Sequence, residues 1–299
     1  MSVAATPLPR RTPRAESHAT RAADPRAVGR LVLRALHDEL VCYPKPGLVS
    51  RVDTGSHADM DAATFVRSLF ALRHYFPAIA AAGAADAPFT QLRALGLDAE
   101  RRMLNATGGV NTHRGAIFNL GLLAAAAGWQ RAHPDHGRRA TLGDTVRCHW
   151  GEAIARPAIV AEAAPPSHGL RVAQRYGLGG ARAEAAAGFP HLFGIGLPAF
   201  EHSLARHGDH QRAAVQCFFS LVAQLPDTNL LHRGGAEGLC FAQTAAREFV
   251  AAGGVAHPAW RARAEFVHRA FVARRLSPGG SADLLAATLF VHAWQQIRA

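Results

Sequence analysis

At 299 residues, 49% of them hydrophobic, the chain is long enough to bury a sizeable core. No apolar run approaches the ~18 residues needed to cross a bilayer, and the Arg- and Pro-rich start lacks the apolar stretch of a secretory signal. The formal net charge of +11 admits nucleic acid or a small polyanion such as a nucleotide or a coenzyme A derivative, but no basic-aromatic stripe favours the former. Cys42, Cys148, Cys217 and Cys240 form no CxxC and no regular framework, so they read as buried thiols of a cytoplasmic protein.

Helical periodicity dominates and no alternating strand pattern of useful length occurs, which makes the fold class all-α. Residues 1–23 read as a disordered arm rich in Arg and Pro, and 24–299 as one all-helical domain. Asp24-Pro25 caps a first helix with Leu33, Leu36 and Leu40 on one face, and that helix ends before the rigid break Pro44-Lys45-Pro46-Gly47. Ser56-x-x-Asp59 has the spacing of a capping box. Phe65, Leu69, Leu72 and Phe76 then stripe one continuous helix and are assigned to the core. A helix over Leu92–Leu104 follows, then a Gly108-Gly109 loop, then helices over 115–129 and 141–155.

An irregular region starts at Pro165-Pro166-Ser167-His168-Gly169 and runs through Tyr176-Gly177 to Gly188-Phe189-Pro190. Helices are expected near 197–207, 209–225, 235–252, 258–275 and 281–297, the last with Ser281 as its N-cap. The architecture expected is a single multi-helix bundle whose Gly-rich polar loops converge at one end on one nucleotide site.

Two of those loops share a pattern. Asn111-Thr112-His113-Arg114-Gly115 and Asn229-Leu230-Leu231-His232-Arg233-Gly234 each carry an Asn, then His-Arg-Gly, before an apolar helical run. Glycines allow close backbone approach, and a helix start offers N–H groups and a positive dipole end to an anion. An ordinary polar connection has the same composition, but the repeat favours a functional pair. Lys45 is the only lysine in the chain and is a compact charge suited to phosphate, or else a chance surface residue. Asp59 and Asp61 near a helix start either present two carboxylates to Mg²⁺ or complement the helix dipole. Glu100 and Glu184 are either buried acid-base groups or solvated helix-face residues. Asp227 joins Asn229, His232 and Arg233 in a set suited to ribose and phosphate, and Asp283 reads as a cap or a metal ligand. The sequence has no GxxxxGK[ST], no GxGxxG after a strand, no HExxH and no GxSxG elbow.

Six motifs in order resemble the triphosphoribosyl-dephospho-CoA synthase family, over roughly residues 30–297. They are Pro44-Lys45-Pro46-Gly47-Leu48-Val49; His57-x-Asp59-Met60-Asp61; Gly109 to Phe118; Tyr176-Gly177 with Gly180-Ala181-Arg182, Glu184 and Gly188-Phe189-Pro190; Asp227 to Gly235; and Leu276 to Leu285. Many family members carry Asp where Ser50 stands here; either Asp53, three residues on, substitutes for it or the position carries no role. The stretch Ser50 to Phe76 looks closer to the malonate decarboxylase branch.

The resemblance implies that ATP and 3′-dephospho-CoA are joined with loss of adenine, giving the prosthetic-group precursor of an acyl carrier subunit. It implies Mg²⁺ as cofactor, ATP and dephospho-CoA as partners, transient contact with a downstream carrier-protein transferase, and neither nucleic acid nor membrane. Lys45, Arg114 and Arg233 would hold phosphates, with Arg182 and Ser281 also at the substrate, and Asp59 and Asp61 would ligate Mg²⁺. Asp227 or Glu100 would serve as base. Asn111, Thr112, His113, Asn229 and His232 would hold ribose or adenine, the two histidines counting also as catalytic. The alternatives are the citrate lyase equivalent and a Mg²⁺-dependent N-ribosyl hydrolase. A helical RNA- or carrier-binding module leaves the paired acids and twin loops unexplained.

Overall fold

The computed structural model describes residues 24–137, 140–156 and 179–297, and among these no strand is present. The arm 1–23, Pro165 to Gly169 and Tyr176-Gly177 lie outside the described residues.

The first helix, α1 (Pro25–Val41), starts as its sequence dictates: the Asp24 side chain accepts from Arg26 N, and proline occupies the first turn. Helix α2 (Ala62–Leu72) is capped by Asp61, whose Oδ1 accepts from Thr64 N at 2.8 Å and Thr64 Oγ1 at 2.7 Å. The Ser56–Asp59 capping box therefore does not form. The helix expected to carry the aromatic stripe is interrupted at Arg73-His74, so Leu72 ends α2 and Phe76 belongs to α3 (Tyr75–Ala84), both fully buried. Thr64, Ser68 and Leu72 form the buried face of α2, while Phe65 and Leu69 are half-buried.

Helices α4 (Phe89–Ala106) and α5 (Arg114–Ala132) flank the Gly108-Gly109 loop, where both glycines have positive φ. After a single helical turn at Pro134–Gly137, α6 (Leu142–Ala155) starts with a capping box between Thr141 and Asp144. The short α7 (Gly180–Ala186) packs on α6, and a π turn at Leu192–Gly196 leads into α8 (Leu197–His207) and α9 (His210–Val222). The long α10 (Thr228–Ala251) contains a break at Gly235, φ 62°, so the helix expected from 235 is the second half of a longer element. Helices α11 (Trp260–Ala273) and α12 (Gly279–Gln296) complete the chain. Ser281 lies inside the first turn of α12, after Pro278 at the cap position, and is not the N-cap.

Helices α5 and α12 are apolar on nearly every side and form the centre of the bundle. Ala124 to Ala127 are all fully buried, and small residues bring α3 against α5 at backbone distance. A Cβ at Gly83 would collide with Ala125 O, and one at Gly128 with Ala80 O. Tyr75 fills the space beside Gly121 and donates to Ile117 O at 3.0 Å.

No helix among the described residues is long and apolar enough to cross a membrane. Cys42 and Cys217 are buried, but Cys148 and Cys240 are exposed, so the expectation of four buried thiols holds for two.

Candidate active site

The segment Leu276 to Asp283 is where the motifs around Gly47, His57, Gly115 and Gly234 meet. Gly47, with φ 73°, lies against Leu276 O, where any Cβ would collide. Ser56 Oγ donates to the same carbonyl at 2.6 Å. Gly234, the glycine of the second His-Arg-Gly, makes room for Leu276 Cδ2, and Gly115, the glycine of the first, makes room for the Asp283 carboxyl. Each triplet thus ends in glycine because a side chain of the 276–283 segment occupies the Cβ position. Gly279 in turn packs against Asn229 Nδ2.

Asp227 joins two helix starts. It caps α10 by accepting from Asn229 N at 2.9 Å, and its Oδ2 accepts from Ser281 N at 2.8 Å and Ser281 Oγ at 3.0 Å. Burial raises its pKa, offset by these donors and by the Gly280 backbone N–H. A carboxylate so fully engaged is an anchor, and its acceptor positions are already used.

Lys45 lies in the interior. The whole run Pro44 to Ser50 is buried, Lys45 is 1% exposed, and its Nζ donates to Glu39 Oε1 at 2.5 Å and Val49 O at 3.3 Å. Its charge neutralises a buried carboxylate and reaches a ligand only through the electrostatic field. Ser50 is also internal: its hydroxyl accepts from Val52 N and Asp53 N, while Asp53 pairs with His268 at 3.2 Å. Both residues shape the loop.

His113 is 3% exposed, its Nδ1 2.6 Å from Ser68 Oγ. Burial, assisted by Lys45, pushes its pKa down to about 3, so the ring is a neutral imidazole at physiological pH. Thr112 Oγ1, His113 Nε2, Arg114 Nε and Asn119 Oδ1 are buried with no hydrogen-bond partner among the described residues. Four such atoms around one helix start are what a site for a polar ligand presents. Arg114 pairs with Glu100, and Asn111 accepts from Arg114 N at 3.1 Å.

In the second loop, Arg233 donates to Ser56 O and Arg275 O at 3.2 Å each, and its Nη2 meets His57 Nδ1 at 3.1 Å. His57 Nε2 lies 2.8 Å from Ser277 Oγ, so the tautomer that accepts from Arg233 donates to Ser277. Burial and then Arg233 lower the His57 pKa. His232 and Asn229 are exposed at the start of α10. Asp59 is exposed and 3.7 Å from His57 Nδ1, while Asp61 serves as the cap of α2.

Arg182 is not brought to this region by its contacts. It donates to Ile154 O and Arg156 O and closes the end of α6. Glu184 is buried and holds His191 through N–H and ring contacts at 2.8 and 2.7 Å. The loop containing Gly188 packs against Gly143, so it does not join the others at Leu276.

Two further acids belong to the centre: Glu39, and Asp283, which the sequence offered as a cap or a metal ligand. Glu39 falls on the buried face of α1 with Val32 and Leu36, a helical spacing that marked it in the sequence. Asp283 is neither a cap nor, among the described residues, part of a group of three His, Cys, Asp or Glu able to hold a metal. Its pKa is raised well above the usual carboxylate value by burial and then by Glu39 and Asp227, against one N–H donor, Ala116.

The helix starts of α5, α10 and α12 are drawn together by Asp283 against Gly115 and by Asp227 on Ser281, so their positive dipole ends converge beside the orphaned side-chain atoms. That suits an anionic ligand.

Comparison with known proteins agrees with this chemistry. The family model described as "CitG: ATP:dephospho-CoA triphosphoribosyl transferase" matches residues 25–299. A protein of Azotobacter vinelandii named as a probable 2-(5′′-triphosphoribosyl)-3′-dephosphocoenzyme-A synthase is 42% identical over 273 residues, covering 87% of this chain and 89% of its own. The synthase of that name from Pectobacterium atrosepticum is 40% identical over 269 residues, covering 87% of each chain. A probable synthase of the same kind from Acinetobacter calcoaceticus is 39% identical over 261 residues, covering 87% of this chain and 88% of its own. No solved structure matches. With near-complete coverage by the family model and by these relatives, the chain belongs to the ATP:dephospho-CoA triphosphoribosyl transferase family, a family of transferases.

Proposed function

We propose that the protein transfers the 5-triphosphoribosyl group of ATP to the 2′-hydroxyl of 3′-dephospho-CoA, releasing adenine, and so makes the prosthetic-group precursor of the malonate decarboxylase acyl carrier subunit. The observation that carries this reading is the cluster of orphaned polar atoms at the start of α5, beside the segment that gathers both His-Arg-Gly loops. Nucleobase displacement passes through an oxocarbenium-like centre, which favours negative charge near the ribose and cations at the phosphates. In this reading Arg114 and Arg233 face phosphate, with Glu100 orienting Arg114. Neutral His113, with Asn111, Thr112, Asn229 and His232, holds ribose and base by hydrogen bonds. Lys45 tunes the interior field.

A Mg²⁺ ion typically takes one or two protein carboxylates plus phosphates and water, so it does not need a three-residue protein cage. Asp59, with its side chain 63% exposed, and Asp61 beside it fit that requirement and would hold the ion, which would supply charge neutralisation for triphosphate. The preference for malonate decarboxylase over citrate lyase rests on the stretch Ser50 to Phe76, and the product would pass to a carrier-protein transferase in a transient complex.

The test is a mass spectrum of purified protein incubated with ATP, Mg²⁺ and dephospho-CoA. Stoichiometric adenine with a triphosphoribosyl adduct of dephospho-CoA is expected. Adenine with ribose 5-triphosphate and no adduct would make the protein a hydrolase, and absence of adenine would overturn both.

A further inference from the structure

The transfer requires one proton to move. The C1′–N9 bond breaks with its electron pair going to adenine, which takes up a proton, and a bond forms between C1′ and the 2′-oxygen of the acceptor, which loses one. A single carboxyl that gives the first proton and receives the second closes the cycle with no other reactant. Several acids lie near the motifs, and most are committed elsewhere. Glu39 is 6% exposed and paired with Lys45. Asp227 is 1% exposed, with donors from Ser281 and Asn229 on both oxygens. Glu100 is paired with Arg114, and Asp61 caps α2.

Asp283 differs from all of these. It lies directly against Gly115 at the start of α5, and Ala116 N–H is the one hydrogen-bond donor found to act on it. Alone among the acids of the inner cluster it keeps an accessible part of its surface, being half-buried where Glu39 and Asp227 are sealed.

We propose that Asp283 is the catalytic proton carrier, giving its proton to the departing adenine and, as the resulting carboxylate, accepting the proton of the attacking 2′-hydroxyl. This rests on the triphosphoribosyl-transfer reading above. Every charged or titratable group found near Asp283 favours the protonated starting state or is silent. Burial disfavours a negative charge there most, Glu39 on α1 and Asp227 at the head of α10 add their repulsion, and Lys45 is paired with Glu39. The neighbouring His113 is a neutral ring at physiological pH and has no proton of this kind to give. Once ionised, the Asp283 carboxylate lies at the positive end of α5, where its charge is tolerated for the lifetime of the cationic ribosyl centre.

The experiment compares wild-type protein with Asp283→Asn and Asp283→Glu, following adenine release and adduct formation from pH 5 to 9. Asn mimics the size and neutrality of the protonated acid, so dephospho-CoA binding measured by calorimetry should stay within about threefold. The expected loss in kcat is about 10²- to 10⁴-fold for removal of a general acid-base group. Wild-type kcat should fall as pH rises through the elevated Asp283 value, on a limb that Asp283→Asn lacks, and Glu should restore part of the rate.

An Asp283→Asn protein within about fivefold of wild type, with the same alkaline limb, would overturn the proposal. If that variant fails to fold, the wild-type profile decides, because a kcat flat from pH 5 to 9 overturns it as well. Wild-type protein that makes no adduct would instead overturn the functional reading.

Discussion

The carboxylate of Asp227 accepts from both the backbone N–H and the hydroxyl of Ser281, 54 residues later in the chain, at 2.8 and 3.0 Å. This contact fixes the starts of α10 and α12 to one another and so places the Leu276–Asp283 segment across both His-Arg-Gly loops. Replacing Asp227 with Ala would strand several buried donors at once and should cost about 3 kcal/mol or more of stability, whereas Ser281→Ala should cost about 1–2 kcal/mol. Urea unfolding measures both, and equal small losses would show that the junction is held by packing.

The Lys45–Glu39 pair predicts a non-additive cycle. Lys45→Met alone leaves a buried carboxylate without its partner and should cost about 3–5 kcal/mol. Adding Glu39→Gln should recover much of that, because the second change removes the stranded charge. A double variant no more stable than Lys45→Met would mean that the lysine contributes mainly through packing of its stem.

His113 makes the fold acid-sensitive in a defined window. Its folded pKa is pushed down to about 3 from the ordinary 6.5, so between those values the unfolded chain binds a proton that the folded chain does not. Its contribution is therefore constant above pH 7 and is lost progressively as pH falls from 6.5 toward 3. The difference between wild-type and His113→Gln stability curves isolates the effect. A difference independent of pH would show that the imidazole titrates normally in the folded protein.

Asp61 separates cap from metal ligand. Asn is as good an N-cap as Asp, so Asp61→Asn should leave the melting temperature within a degree or two, on the order of the ±0.5 kcal/mol of a neutral surface change. If Asp61 also holds Mg²⁺, the same variant should need at least about tenfold more Mg²⁺ for half-maximal turnover. An unchanged Mg²⁺ requirement in both Asp61→Asn and Asp59→Asn would remove these residues from the metal site.

Much of the helical architecture was legible because it rests on local signals. Asp24-Pro25 starts α1, and the element expected at 197–207 coincides with α8. Errors cluster where a distant partner decides the geometry. Ser281 has the chemistry of an N-cap, but its hydroxyl is drawn to Asp227. Ser56, expected to cap α2, is bound to Leu276 O, and Asp61 caps the helix.

The motifs identified the right loops, yet their spacing could not tell a ligand-facing charge from a buried one. Lys45 is buried on Glu39, and Arg182, partly exposed, is committed to the carbonyls at the end of α6. Glu39 was recoverable from its position on an apolar helix face. Asp283 required the tertiary contact with Gly115, for which no local pattern exists.

The backbone-to-backbone seam of α3 and α5, set by Gly83 and Gly128, leaves no slack for one helix to slide along the other. The head of α5, with Thr112, His113 and Asn119, is consequently a fixed anvil. The facing 276–283 segment is held as firmly, by Gly47 against Leu276 O and by Asp227 on Ser281. The dipole of α5 is therefore oriented before any ligand arrives, and binding there requires no free energy for reshaping that end of the bundle.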